Sequence, residues 1–362
     1  MELYVGLMSG TSLDGADAVL VDLAGDTPRL LADAHHPFDA AMRDGLLALN
    51  FPGANELERA ALAGNELARK YASAVAEVLS GAKTPPSEVR AIGCHGQTVR
   101  HRPARGYSAQ IGNAALLAEL SGIRVVADFR SRDIAAGGQG APLVPAFHAA
   151  VFADPGEDRA VLNLGGIANL TALPRGNGIL GFDTGPGNCL MDLWAEKHLG
   201  KAHDESGRWA AGARALPELL DRMHSEPYFS AAPPKSTGRD LFNEDWLRGM
   251  LNGDEEARAV QATLLELTAR SVSEAIRLYC RGAARLIVCG GGAANHALLR
   301  RLEELIAPAV LETSDRHGIE PRLVEATAFA WLAKQAIDGR TASLPSVTGA
   351  RGARVLGAIY SR

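Results

Sequence analysis

Apolar residues along the chain come in short runs that break at Gly, Ser, Thr or Asn, and two of these breaks read alike. Leu3-Tyr4-Val5-Gly6-Leu7-Met8 runs into Ser9-Gly10-Thr11-Ser12-Leu13-Asp14-Gly15, and Ala16-Asp17-Ala18-Val19-Leu20-Val21 resumes the apolar pattern. Ala160-Val161-Leu162-Asn163-Leu164 runs into Gly165-Gly166, and Ile167-Ala168-Asn169-Leu170-Thr171-Ala172-Leu173 resumes it. Run, polar turn, run is the pattern of a β-hairpin. The same hairpin in each half of the chain predicts a duplicated unit.

The first hairpin covers 1–23, and a third strand is expected at 27–36. Over 55–79, Leu57, Ala60, Leu67, Tyr71, Val75 and Val78 recur at helical spacing. Strands are expected at 89–94 and 124–129, with a helix over 113–120 whose N-cap is Asn113. Segment 135–145 is rich in Gly and Pro and predicts no regular structure. The second half repeats the plan, with strands at 159–164, 168–173 and 178–182 and a helix over 189–197. A long helix at 255–280, a strand at 286–289, a helix at 297–306, a strand at 309–313 and a helix at 326–337 follow. Antiparallel strands followed by strand–helix alternation predict an α/β class with mixed sheets flanked by helices, in the form of a duplicated ribonuclease-H-like core. The lobes are expected at 1–145 and 146–362.

Composition narrows the function. The formal net charge of −5 argues against a nucleic-acid partner, which needs a basic face. It leaves room for a small anionic ligand, because glycine loops bind phosphate without net positive charge. Cys94, Cys189, Cys280 and Cys289 form no CxxC pair, so neither a zinc knuckle nor a redox dithiol is expected. The first strand starts too early for a cleavable leader, and no apolar run reaches the roughly 18 residues of a membrane span. A soluble, cytoplasmic protein with no membrane partner is the expectation.

Four segments carry candidate chemistry. The backbone amides and hydroxyls from Gly10 through Thr11, Ser12, Leu13, Asp14, Gly15 and Ala16 to Asp17 suit phosphate oxygens. Asp14 can hold Mg²⁺, directly or through water, or can simply shape the Asp-Gly turn. This is not a Walker loop, because no Gly-Lys-Ser/Thr follows. In Gly181-Phe182-Asp183-Thr184-Gly185-Pro186-Gly187-Asn188, an apolar strand delivers Asp183 onto a loop with bare amides at Gly185 and Gly187. A carboxylate there can act as general base; the structural alternative is a turn or cap role, which Asn188 or Thr184 can fill instead. Gly290-Gly291-Gly292-Ala293-Ala294-Asn295 lets a ring or ribose approach the backbone, and its spacing departs from the GxGxxG of a Rossmann loop. Polar clusters around His95, Gln97, Thr98, Gln110, Asp128, Arg130 and Arg132 end apolar segments, where α/β sheets place ligands. Individually, His95 also reads as a turn or core histidine, the arginines as surface ion pairs, and Glu325 as a helix N-terminal acid.

Taken together, Gly6-Leu7-Met8-Ser9-Gly10-Thr11-Ser12-Leu13-Asp14-Gly15, Cys94-His95-Gly96-Gln97-Thr98, Ala127-Asp128-Phe129-Arg130, Gly137-Gly138-Gln139-Gly140-Ala141-Pro142-Leu143-Val144-Pro145, Asn163-Leu164-Gly165-Gly166-Ile167-Ala168-Asn169, Asp183-Thr184-Gly185-Pro186-Gly187-Asn188 and Gly290-Gly291-Gly292-Ala293-Ala294-Asn295 resemble the anhydro-N-acetylmuramic acid kinases over essentially the whole length. The resemblance implies the superfamily of actin, hexokinase and the heat-shock chaperone ATPases. It implies a reaction in which 1,6-anhydro-N-acetylmuramic acid, water and ATP give N-acetylmuramic acid 6-phosphate and ADP, in recycling of peptidoglycan. It further implies ATP with Mg²⁺ on residues 10–17, with Gly165, Gly166, Gly185, Gly187, Gly290, Gly291, Gly292 and Asn295 completing the nucleotide site. Asp183 would be the catalytic base, His95, Gln97, Thr98, Asp128, Arg130, Asp183 and Glu325 would face the sugar, and the assembly would be a homodimer. Other readings stay open at this point: a kinase of the same superfamily acting on an ordinary sugar hydroxyl, an ATP-driven filament or chaperone-like module, and a dehydrogenase built on the Gly290 loop.

Overall fold

The computed structural model describes residues 1–10, 12–176 and 178–362. The chain forms two compact units, Met1–Val151 with Leu323–Arg362, and Phe152–Arg322.

In the first unit, β1 (Leu3–Met8), β2 (Gly15–Asp22) and β3 (Arg29–Pro37) form an antiparallel meander, and β4 (Val89–Cys94) lies parallel to β1 on its other side. After β4 the chain leaves the sheet for a separate two-stranded hairpin, β5 (Gln97–Arg102) and β6 (Tyr107–Ile111). It rejoins the sheet as β7 (Val125–Ala127), parallel to β4, and a last strand, Ala358–Tyr360, pairs antiparallel with β7.

Strand alternation sends Leu3, Val5 and Leu7 to one face of this sheet and Tyr4 to the other. The first face is covered by the helix Glu56–Gly81, whose Leu67, Tyr71, Ala74, Val75 and Val78 are buried at helical spacing. Full burial of a Leu or Val side chain such as Leu67, Val75 or Val78 contributes about 1.5–3 kcal/mol. The opposite face is covered by the helix Val324–Ile337, through Ala326, Phe329, Ala330 and Ala333. This second contact is unusually close. A Cβ placed on Gly6 would stand 1.9 Å from the Ala326 carbonyl oxygen, and one on Gly93 would stand 1.9 Å from that of Phe329. Glycine at both positions is what lets the helix backbone touch the sheet.

The second unit repeats the layout. β8 (Arg159–Leu164), β9 (Ile167–Leu173) and β10 (Leu180–Pro186) form an antiparallel meander, with β11 (Arg285–Cys289) and β12 (Val310–Thr313) added in parallel beside β8. The strand orders β3-β2-β1-β4-β7 and β10-β9-β8-β11-β12 are the same topology twice. The helices Glu56–Gly81 and Ala257–Tyr279 occupy matching places between third and fourth strands. This is the expected duplicated α/β core, and its antiparallel meanders exclude the all-parallel sheet of a Rossmann dehydrogenase.

Three points differ from the sequence reading. Residues 323–362 pack with the first unit, so the second unit is an insertion within the first rather than everything after 145. The last expected helix carries small residues that suit a glycine-lined sheet distant in sequence, a match that periodicity does not reveal. β10 runs on to Pro186, so Asp183 lies within a strand and not on the loop after it. Gln97 and Thr98 open the detached hairpin β5–β6 instead of ending a strand of the main sheet.

Candidate active site

In the first unit the parallel strands β1, β4 and β7 end on one side, and each is followed by residues expected to bind ligand. The loop after β1 is tied down from below. Ser9, 1% exposed, shares a 2.6 Å hydrogen bond with the Tyr71 hydroxyl and donates to the Gly96 carbonyl at 3.2 Å. The Gly10 carbonyl accepts from Leu13 N and from the Gln97 amide at 3.2 Å. Leu13 takes a left-handed backbone, φ 57°, and buries its side chain with Ala16 in the core. Both can therefore offer a ligand only their backbone. Gly15 sits where a Cβ would meet His35 and the His36 carbonyl at 2.6 Å. Asp17 is paired with His35 at 2.9 Å, while Ser12 donates to Asp14 at 2.8 Å on the exposed rim. Thr11 lies outside the described residues.

His95, directly after β4, is the hub of the second cluster. Its Nδ1 donates to the Ser9 carbonyl at 3.3 Å, and its Nε2 accepts from the Arg130 guanidinium at 2.8 Å and the Gln110 amide at 3.0 Å. Burial, reinforced by the Arg130 charge, lowers its pKa to about 3, so the ring is a neutral acceptor. Arg130 reaches the Gly140 carbonyl with Nη1 at 2.7 Å. The guanidinium is thus held between a ring nitrogen and a carbonyl, with Gly140 itself fixed by its amide donating to buried Asp133 at 2.7 Å. Thr98 accepts from Gln110 at 3.1 Å. Asp128, at φ 56°, accepts from the Ser131 hydroxyl at 2.6 Å and shares a cavity of about 290 Å³ with His95, Gln110 and Tyr71. Gln97 is 2% exposed, and its Oε1 has no partner among the described residues. Glu325 lies in the first turn of the helix Val324–Ile337. That helix runs opposite to β1, with Lys334 bonded to Glu2 and the Phe329 ring 4.7 Å from His95, so Glu325 lies at the same end of the unit.

In the second unit the glycine loops gather at the ends of β8, β10 and β11. Gly187 N and Cys189 N donate to the Gly166 carbonyl, and Asn188 N donates to that of Gly165. A Cβ on Gly187 would stand 2.3 Å from the Gly165 carbonyl oxygen, and one on Gly292 would stand 2.6 Å from Leu164 Cβ. Gly165, Gly166, Gly185, Gly187, Gly290, Gly291 and Gly292 are therefore brought together. Asn295 spends its side-chain oxygen capping the helix His296–Ile306. Asn188 occupies the N-cap position of the helix Cys189–Leu199 but makes no side-chain cap bond; the side chains of Asn188 and Thr184 donate to the Leu164 and Ala168 carbonyls instead.

Asp183 stands at an irregularity of β10, where pairing with β9 slips between Asp183 and Gly185. Its Oδ2 accepts from Thr237 N at 3.0 Å, its amide donates to the Lys235 carbonyl, and its carbonyl accepts from the Tyr228 hydroxyl at 2.7 Å. These three partners were not anticipated from the sequence. The donor-rich run Lys235-Ser236-Thr237-Gly238-Arg239 after Pro233-Pro234 was the available signal.

No group of three or more metal-ligating side chains occurs among the described residues. A single exposed carboxylate, Asp14, fits the chemistry of Mg²⁺, which keeps most of its waters and takes one or two carboxylates with substrate phosphates. It does not fit a caged metal.

The family model for anhydro-N-acetylmuramic acid kinase matches residues 2–362. An anhydro-N-acetylmuramic acid kinase from Nitrosospira multiformis is 54% identical over 99% of this chain and 98% of its own. One from Bordetella pertussis is 57% identical over 99% of this chain and 96% of its own. Among solved structures, the activator of the 2-hydroxyisocaproyl-CoA dehydratase from Clostridium difficile with bound ADPNP aligns with 93% of this chain and 97% of its own, at 12% identity and TM-score 0.47, a likeness that says nothing about activity.

Proposed function

The chain belongs to the anhydro-N-acetylmuramic acid kinase family, and from that premise we propose that it hydrolyses the 1,6-anhydro bridge of 1,6-anhydro-N-acetylmuramic acid while phosphorylating O6, with Asp183 as general base. Asp183 accepts a proton from water, and the water oxygen bonds to C1 as the C1–O6 bond breaks. O6 takes the γ-phosphoryl group as the bond to ADP breaks, so phosphoryl transfer replaces protonation of the leaving oxygen. One carboxylate then suffices where a glycosidase uses two. The observation that supports the reading is the fixing of Asp183 by Thr237 N, the Lys235 carbonyl and the Tyr228 hydroxyl at the irregularity of β10, in the unit that also gathers the glycine loops.

The remaining roles follow from chemistry. The loop 10–17 and the glycine loops of the second unit donate to ATP oxygens, with Thr11 included on the family pattern alone. Asp14 would hold Mg²⁺, which when bound offsets charge on the phosphates. Arg130, its fork aligned by His95 and Gly140, suits the lactyl carboxylate. The Gln97 oxygen suits a sugar hydroxyl donor, and Thr98, Asp128 and Glu325 are further polar groups at that end of the unit. A homodimer and a cytoplasmic site of action belong to the same family expectation; sedimentation of the purified chain checks the first.

The test is turnover of the anhydro sugar with MgATP in ¹⁸O water, for wild type and Asp183→Asn. The reading requires ¹⁸O at C1, phosphate at O6, and a loss of about 10²-fold or more in the variant. Phosphorylation without ¹⁸O at C1 would overturn it.

A further inference from the structure

β10 is the edge strand of the second sheet, so one side of its backbone has no neighbouring strand. Such an edge carries unpaired amides and carbonyls that need partners. At Asp183 the partners come from the segment 228–237. The amide donates to Lys235 O at 3.2 Å, the carbonyl accepts from Tyr228, and the side chain accepts from Thr237 N. The same short segment therefore grips the backbone and the carboxylate of one residue.

Lys235 gives that grip a charge. Its Nζ donates to the carbonyls of Tyr228 and Phe229 at 3.1 and 3.2 Å and stands 4.7 Å from the Tyr228 ring centroid. Burial lowers its proton affinity, while the neighbouring Asp183 carboxylate raises it. The same attraction draws the ammonium and the carboxylate together. Burial and then the Asp183 charge raise the Tyr228 phenol, so it remains a donor. Two further charged groups flank the segment. Arg239 acts on Cys189, and the His224 ring stacks on Phe229 and pairs with Glu274.

We propose that Lys235 is a positioning residue for Asp183: its ammonium holds the Tyr228 and Phe229 carbonyls, and with them the segment that grips the Asp183 backbone, and it sets a positive charge beside the Asp183 carboxylate. This rests on the reading of Asp183 as base. Lys235 touches no substrate in this role, so its loss acts on turnover and on the acid limb of the pH profile rather than on ATP affinity.

The experiment measures kcat, KM for ATP and the pH dependence of kcat/KM for Lys235→Met, Lys235→Arg, Asp183→Asn and the Lys235→Met/Asp183→Asn pair. Lys235→Met is expected to lower kcat about tenfold or more, with KM for ATP within about twofold. Its acid limb should move up by about one pH unit, and Lys235→Arg should restore most of both. In the Asp183→Asn background the Met substitution should cost nothing further, because the group it serves is gone. An unmoved acid limb, or an equal further loss in the double variant, would overturn the proposal. A loss that Lys235→Arg fails to restore, with a collapsed melting transition, assigns Lys235 to folding and overturns it too. If Asp183→Asn itself stays active, it is the base assignment that fails.

Discussion

At the scale of single residues, the site depends on which atoms are already committed. Arg130 binds nothing new with Nη1 and Nη2 unless those N–H groups not directed at Gly140 and His95 face the sugar. Its value lies in the planar fork, which meets the Gly140 carbonyl and the His95 ring nitrogen in one fixed plane. A lysine keeps the charge and loses the fork. Arg130→Lys is therefore expected to raise KM for the anhydro sugar by about tenfold or more while leaving KM for ATP within about twofold, read from initial rates with each substrate varied. The motifs singled out His95, Gln97, Asp128, Arg130 and Asp183 as candidates. They could not show that His95 is an acceptor, that Leu13 and Ala16 are core, or that Asn295 is a cap, because those facts depend on partners far away in sequence.

At the scale of elements, the hairpins, the long helices and the parallel strands were legible from periodicity, since strand and helix spacing follow from local geometry. The hairpin β5–β6 was not: Gln97, Arg100, His101 and Arg102 give it no apolar alternation. The extension of β10 past Asp183 was hidden by Gly185 and Pro186, which read as breakers. The contact of the helix Val324–Ile337 with the first sheet is the element-level feature with the sharpest consequence. A methyl on Gly93 would overlap the Phe329 carbonyl, so either the helix moves or β4 does. Gly93→Ala should cost about 1–3 kcal/mol or more, seen as a lower urea midpoint. It should also weaken activity, because His95 follows two residues later and its ring packs on Phe329.

For the whole molecule, the duplication was readable from two similar turns, but the nesting of the units was not. The two units also differ in their deeply buried histidines. His95 and His148, both in the first unit, are buried neutral, each with its pKa lowered to about 3, chiefly by burial. In the unfolded chain they take up a proton near the ordinary value of about 6.5. Their neutral burial is therefore fully compatible with folding above pH 6.5 and costs stability increasingly as pH falls from there toward 3. Hydrogen exchange at stepped pH should show the first unit losing protection between about pH 6.5 and 5, and His148→Phe should flatten that loss. Equal loss in both units would contradict it.

The insertion of one unit within the other has a consequence for biosynthesis. Tyr4, Val19, Val21 and Ala91 are made early, yet the helix that covers them is made only after residue 323. At ordinary elongation rates of about 5–20 residues per second, the ribosome spends on the order of ten seconds on the intervening unit. That unit has all its strands and its own core before the first has its last helix. The part synthesised first is thus the last to close, and through that interval it offers one bare apolar sheet face to whatever holds nascent chains in solution.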